Sequence, residues 1–111
     1  MTRRLDEEGE RYPVLGQLLG YLNEDWPIDY GTPEKAIDAA IADFPLKMRQ
    51  RMRSELAGLL SEYEDDHPRL RAVLNKSLHV NVYFKKPAEA RAFAEETERK
   101  LMESIRGAFA R

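Results

Sequence analysis

Apolar side chains recur every three to four residues along most of this chain, the spacing that gathers them on one face of an α-helix. Leu15, Leu18, Leu19 and Leu22 form the first such face. Pro13 suits the first turn there, where a missing N–H costs nothing, so the spacing predicts a helix over 13–23. Gly16 and Gly20 weaken that helix but let a neighbour approach closely. Thr32-Pro33-Glu34 is a strong start signal: a capping hydroxyl, a proline for the first helical position and an acid for the positive end of the dipole. Ile37, Ala40, Ile41 and Phe44 share its inner face. Pro45 ends the helix by disfavouring helical geometry in the residue before it. A longer helix is predicted from Leu46 to Tyr63, with Met52, Leu56, Leu59, Leu60 and Tyr63 as its stripe. Asp66-His67-Pro68 breaks and restarts the chain, and Leu70, Val73 and Leu74 make a short fourth helix. Pro87 opens the last helix, with Ala90, Phe93, Ala94, Thr97, Leu101, Ile105 and Phe109 predicted to face inward.

The period changes once. Leu78, Val80, Val82 and Phe84 alternate with His79, Asn81 and Tyr83, which is the spacing of an extended strand. A lone strand leaves its backbone groups without partners. Three arrangements would supply them: pairing with the 24–31 connector, pairing with another protein, or burial as an irregular extended segment. The expected fold is mostly α, a compact bundle of about five helices with at most one short strand-like segment. Residues 1–10 are polar and are expected to form a flexible start, followed by one helical domain over 11–111.

Composition narrows the function classes. The chain has 111 residues, 42% hydrophobic and 34% charged, with a net charge of −2. That describes a globular protein with a charged surface and no general attraction to nucleic acid or anionic membrane. The absence of cysteine excludes disulfides, thiolate nucleophiles and cysteine-ligated metals. No apolar run follows the N-terminal arginines and none reaches the length of a membrane span, so a cytoplasmic protein is expected. The two histidines give no spaced metal-binding pair, and His67 in EYEDDHP reads as part of a solvated helix junction. No glycine-flanked serine or phosphate-binding glycine spacing occurs. The expectation is a protein that is not an enzyme, with no catalytic residues, no metal and no cofactor.

Charge is uneven along the chain. Lys47, Arg49, Arg51 and Arg53 stand together without an acid, and five acids follow in residues 54–66 without a base. The four bases fan around their helix rather than forming a stripe. They are the basis of one alternative reading, a small regulatory adaptor or antitoxin-like protein that binds nucleic acid. The acids gather at two corners. Glu24, Asp25 and Asp29 flank Trp26 in the first connector, and Glu62, Glu64, Asp65 and Asp66 flank Tyr63 at the second junction. Brought together by the fold, these corners would make a patch for a basic partner.

The run YPVLGQLLGYLNEDWPIDYGTPEKAI, from Tyr12 to Ile37, resembles the small helical immunity proteins of bacterial contact-dependent growth inhibition systems. The resemblance rests on a leucine-rich helix that includes Leu18, the acid-Trp pair Asp25-Trp26, and the helix start Tyr30-Gly31-Thr32-Pro33-Glu34. It covers about a third of the chain well, and the segment from Leu78 onward departs from it. It implies a cytoplasmic protein that binds a toxin domain, often a nuclease, and blocks it stoichiometrically without chemistry. A nuclease site attracts phosphate, so an acidic inhibitor surface complements it. Residues shared by inhibitors of different toxins belong to the fold, which assigns Trp26, Tyr30, Gly31, Thr32 and Pro33 to the scaffold. The expected toxin contacts are Glu24, Asp25, Asp29, Glu62, Tyr63, Glu64, Asp65 and Asp66, with the 62–66 junction favoured.

Overall fold

The computed structural model describes residues 4–109. Its elements are α1 (Leu5–Glu8, running on as a 3₁₀ turn over Gly9–Arg11) and α2 (Pro13–Leu19, continued by a 3₁₀ turn over Gly20–Leu22). Then come α3 (Trp26–Asp29), α4 (Pro33–Asp43), α5 (Leu46–Glu62), α6 (His67–Ala72, widening into a π-helical turn over Val73–Ser77) and α7 (Pro87–Phe109). The architecture is a mostly-α bundle, with no strand among the described residues. Five helices follow the predicted boundaries closely; α1 and the one-turn α3 are additional.

The amphipathic faces explain the packing. α5 and α7 run antiparallel: Arg49 near the start of α5 donates to the Ser104 carbonyl at 3.4 Å, and Arg91 near the start of α7 donates to the Leu60 carbonyl at 3.1 Å. The predicted stripes meet in one core, including Leu15, Leu18, Leu22, Ile37, Met52, Leu56, Leu59, Leu70, Leu74 and Leu101. Phe109 departs from the prediction. It is 69% exposed, because α7 has 23 residues against 17 in α5 and its last turn outruns the helix it packs on.

Helix ends are closed by groups from near and far. The Thr32 hydroxyl accepts from Lys35 N at 3.2 Å, and the Asp66 carboxylate accepts from Arg69 N at 3.1 Å. α2 has no side-chain cap of its own. Glu55 of α5 supplies one, accepting from Val14 N and Leu15 N at 3.1 and 2.9 Å, where an anion also suits the helix dipole.

Part of the polar start is ordered, contrary to the sequence expectation. Residues 5–11 are helical, while residues 1–3 lie outside the described set. The anchor is Glu8, which is fully buried. Its Oε2 accepts from the Tyr63 hydroxyl at 2.7 Å, and Arg11 lies 3.4 Å away and bridges on to Glu62 at 2.8 Å. Gly9 permits the docking, since a Cβ there would meet the Ser77 carbonyl oxygen at 2.7 Å.

Burial and the Glu8 hydrogen bond push the Tyr63 phenol up to about 12. An unfolded tyrosine ionises near pH 10. A raised folded value means that Tyr63 contributes its full stability below pH 10 and loses it as pH climbs toward 12. Thermal melts should therefore show a fall in Tm across that window, and Tyr63→Phe should flatten it; an equally steep fall in the variant would exclude Tyr63 as the cause.

The 78–84 segment is extended but forms no ladder. Leu78, Val80 and Phe84 are buried, and His79, Asn81 and Tyr83 point outward. His79 adopts φ 58°, a left-handed conformation that turns the chain out of the π-helical turn. Local groups then take the place of a sheet. Val80 N donates to the Leu74 carbonyl, and the Asn75 amide donates to the Val80 and Val82 carbonyls at 2.9 and 3.0 Å. On the opposite edge, Asn81 N donates to the Leu22 carbonyl at 2.8 Å and the Trp26 indole N–H donates to the Asn81 carbonyl at 2.7 Å. Asn75→Ala strands two carbonyls at once and should destabilise the protein by about 1–3 kcal/mol. Denaturant unfolding monitored by Trp26 fluorescence measures this; a wild-type midpoint would show that the clamp is dispensable.

Candidate interaction surface

The connector between α2 and α4 is a rigid acidic edge. Asn23 accepts Asp25 N through its side-chain oxygen at 2.9 Å, a turn that starts α3. Tyr30 stacks on Tyr21 with ring centroids 6.2 Å apart, and Phe44 meets the other side of Tyr21 edge-on at 5.9 Å. The Tyr21 hydroxyl donates to Asp43 at 2.8 Å, a bond that raises its pKa. Gly31 takes φ 83°, which a side chain would resist, before the Thr32 cap. Trp26 and Tyr30 are half-buried, as is Pro33, whereas Gly31 and Thr32 are exposed. Glu24, Asp25 and Asp29 all point to solvent, with no ion-pair partner among the described residues.

The second acidic corner is built differently. Tyr63 is a core residue bonded to Glu8, which removes it from any surface. All four acids here are exposed; Glu62 pairs with Arg11 and Asp66 caps α6, so Glu64 and Asp65 are the two with no ion pair or capping bond among the described residues. The corners do not merge. Glu62 lies beside Arg11 just before α2, and the acidic connector begins after Leu22. The intervening helical residues, at 1.5 Å each, span about 15 Å.

Sequence reasoning missed the apolar part of this surface. Ile28 and Tyr83 are each 86% exposed. Tyr83 stands two residues along the extended segment from Asn81, whose carbonyl takes the Trp26 indole bond, and Ile28 lies within α3 between Asp25 and Asp29. Beside Tyr83 opens a groove of about 370 Å³ lined by Pro33, Glu34, Ile37, residues 82–84 and the face of α7 that carries Glu89, Phe93, Thr97 and Lys100. The alternation in SLHVNVYF did signal that Tyr83 faces outward, but not that it would stand at the mouth of a groove.

The basic run is only partly exposed, and Arg53 lines a second groove of about 440 Å³ with Gln50, Met102, Ile105 and Arg106. Arg49 and Arg53 are half-buried and turned onto α7, where they meet Ser104 and the Met102 sulfur; Arg51 and Lys47 are exposed. No helix of the described residues is long and apolar enough to cross a membrane, and no group of three His, Asp or Glu side chains among them is placed to hold a metal ion.

The family model described as CdiI immunity protein matches residues 11–101. The chain belongs to the CdiI immunity protein family. The match extends well past the 12–37 signature, through α5, the 78–84 segment and most of α7, and it leaves α1 and Glu8 outside. No curated protein and no solved structure shows significant similarity to this CdiI family member. Membership makes it an immunity protein directed against a contact-dependent growth inhibition toxin.

Proposed function

We propose that this chain acts in the cytoplasm by binding one cognate toxin domain, a nuclease, and covering it stoichiometrically without catalysis. The observation that carries the reading is the acidic connector: Glu24, Asp25 and Asp29 are fixed outward by a scaffold that leaves their carboxylates uncommitted. A nuclease that draws in phosphate presents positive charge, and an ordered acidic edge meets it with little entropy left to lose. Glu64 and Asp65 serve as a secondary contact. Glu62 and Asp66, exposed but bonded to Arg11 and to the start of α6, contribute their charge to the field of that corner.

The experiment is co-expression with the C-terminal domain of the cognate contact-dependent growth inhibition toxin, sought in a large exoprotein encoded beside this chain. The expected result is rescue of growth, a one-to-one complex on size-exclusion chromatography, and nuclease activity suppressed in proportion to added inhibitor. Suppression at far below one equivalent would indicate a catalytic inhibitor, and absence of a complex would end the neutralisation reading.

A further inference from the structure

We propose that the groove between the start of α4, the 82–84 segment and α7 is the specificity pocket of this interface, and that it receives an apolar side chain from a basic segment of the toxin. The inference rests on the neutralisation reading and adds a place and a chemistry to it. Ile37, Val82, Phe84 and Phe93 make the apolar wall, with the two phenylalanine rings 5.4 Å apart. Its size falls within the range of pockets that bury small ligands or anchoring side chains. Tyr83 stands at the mouth almost fully exposed. Nothing in the folding of the 78–84 segment needs a tyrosine there, since that segment is held by Asn75, Leu22 and Trp26 through its backbone. A rigidly presented tyrosine is the kind of residue that anchors interfaces.

Charge selects the occupant. Glu34, Glu89 and Glu96 line the groove, and Lys100, the one basic side chain among its described lining residues, is already paired with Asp38. Glu96 shares its charge with Arg99 and Glu89 accepts from Lys86 N at 2.9 Å without losing its charge, so Glu34 and Glu89 are the rim carboxylates with no ion pair among the described residues. An apolar side chain flanked by lysine or arginine would bury its body in the groove and set its charge against these carboxylates. An acidic segment or a nucleic-acid strand would be repelled. A second copy docking groove to groove would set like charges against each other. Continuity supports a single partner: the groove begins at Pro33 and Glu34, a few residues after Asp29, so one surface covers connector and groove. The contact is made by side chains. Both edges of residues 80–82 are occupied by internal hydrogen bonds, which closes that segment to strand addition.

The test uses the full chain, with the cognate toxin's C-terminal domain as the probe. Ala92→Tyr fills the groove from the exposed face of α7, and Tyr83→Ala clears its mouth; neither residue is in the core. Arg51→Ala, exposed on α5 and outside both the groove and the acidic corners, is the control, and circular dichroism melts confirm that each variant folds. The expected result is a Kd weakened at least tenfold by both groove substitutions and less than threefold by the control. Wild-type affinity in both folded groove variants overturns the groove and leaves the neutralisation reading standing. Failure of the unmodified chain to bind the probe removes both. Concentration-dependent self-association abolished by Ala92→Tyr would assign the groove to a second copy and overturn the toxin as occupant.

Discussion

Replacing Glu8 with alanine is expected to destabilise the protein by about 2–4 kcal/mol, more than the loss of the Asn75 clamp. Two effects add. Removing a fully buried side chain leaves a cavity, and the Tyr63 hydroxyl loses the acceptor 2.7 Å away. One effect limits the loss: Arg11 keeps Glu62 at 2.8 Å, so its charge is not abandoned. The full penalty of breaking a buried ion pair therefore does not apply. Glu8→Gln keeps the volume and an acceptor, and should cost about 1 kcal/mol. Denaturant unfolding ranks the three proteins, and hydrogen exchange over residues 5–11 should rise in the alanine variant. An alanine variant within about 0.5 kcal/mol of wild type would mean that α1 is not docked as described. Because Glu8 lies outside residues 11–101, this anchor is an addition to the part that the family model matches.

That same residue shows where sequence reading stops. Helical stripes are local, so the faces of α2, α4, α5 and α7 and the caps at Thr32 and Asp66 were legible from spacing alone. Glu8 sits in an eight-residue run with four acids and two arginines, and nothing local distinguishes a carboxylate that will be buried from one that will be solvated. Its burial depends on Tyr63, fifty-five residues away. The same holds for Glu55, which caps α2 from another helix, and for Asn75, whose amide replaces a neighbouring strand. Long-range polar pairs leave no period in the sequence. The acidic connector was legible because three acids without a base is a local fact. That the extended segment carrying Tyr83 would dock against it was not, since that contact is made by the Trp26–Asn81 bond.

Reversing charge at Asp25 and Asp29 together, each to lysine, should slow association with the toxin by about ten- to a hundredfold at low salt, because steering by complementary fields acts on the encounter rate. The dissociation rate should change less. Raising ionic strength should shrink the difference between variant and wild type, since screening at 0.15 M acts over about 8 Å. Folding should be little affected: the Asp25 side chain makes no capping hydrogen bond to α3, and both residues are exposed. Reversal at Glu64 and Asp65 is the informative comparison. That corner is about 15 Å from the connector along α2, beyond the screening length, so a partner docked on the connector and groove should feel it weakly. Asp66 is left out of that variant because losing its cap on α6 would itself cost about 1 kcal/mol. Stopped-flow association rates at two salt concentrations decide between the corners. A larger effect at 64–65 would move the interface to the α5–α6 junction, and equal, salt-independent rates in all three proteins would mean that charge does not guide this encounter.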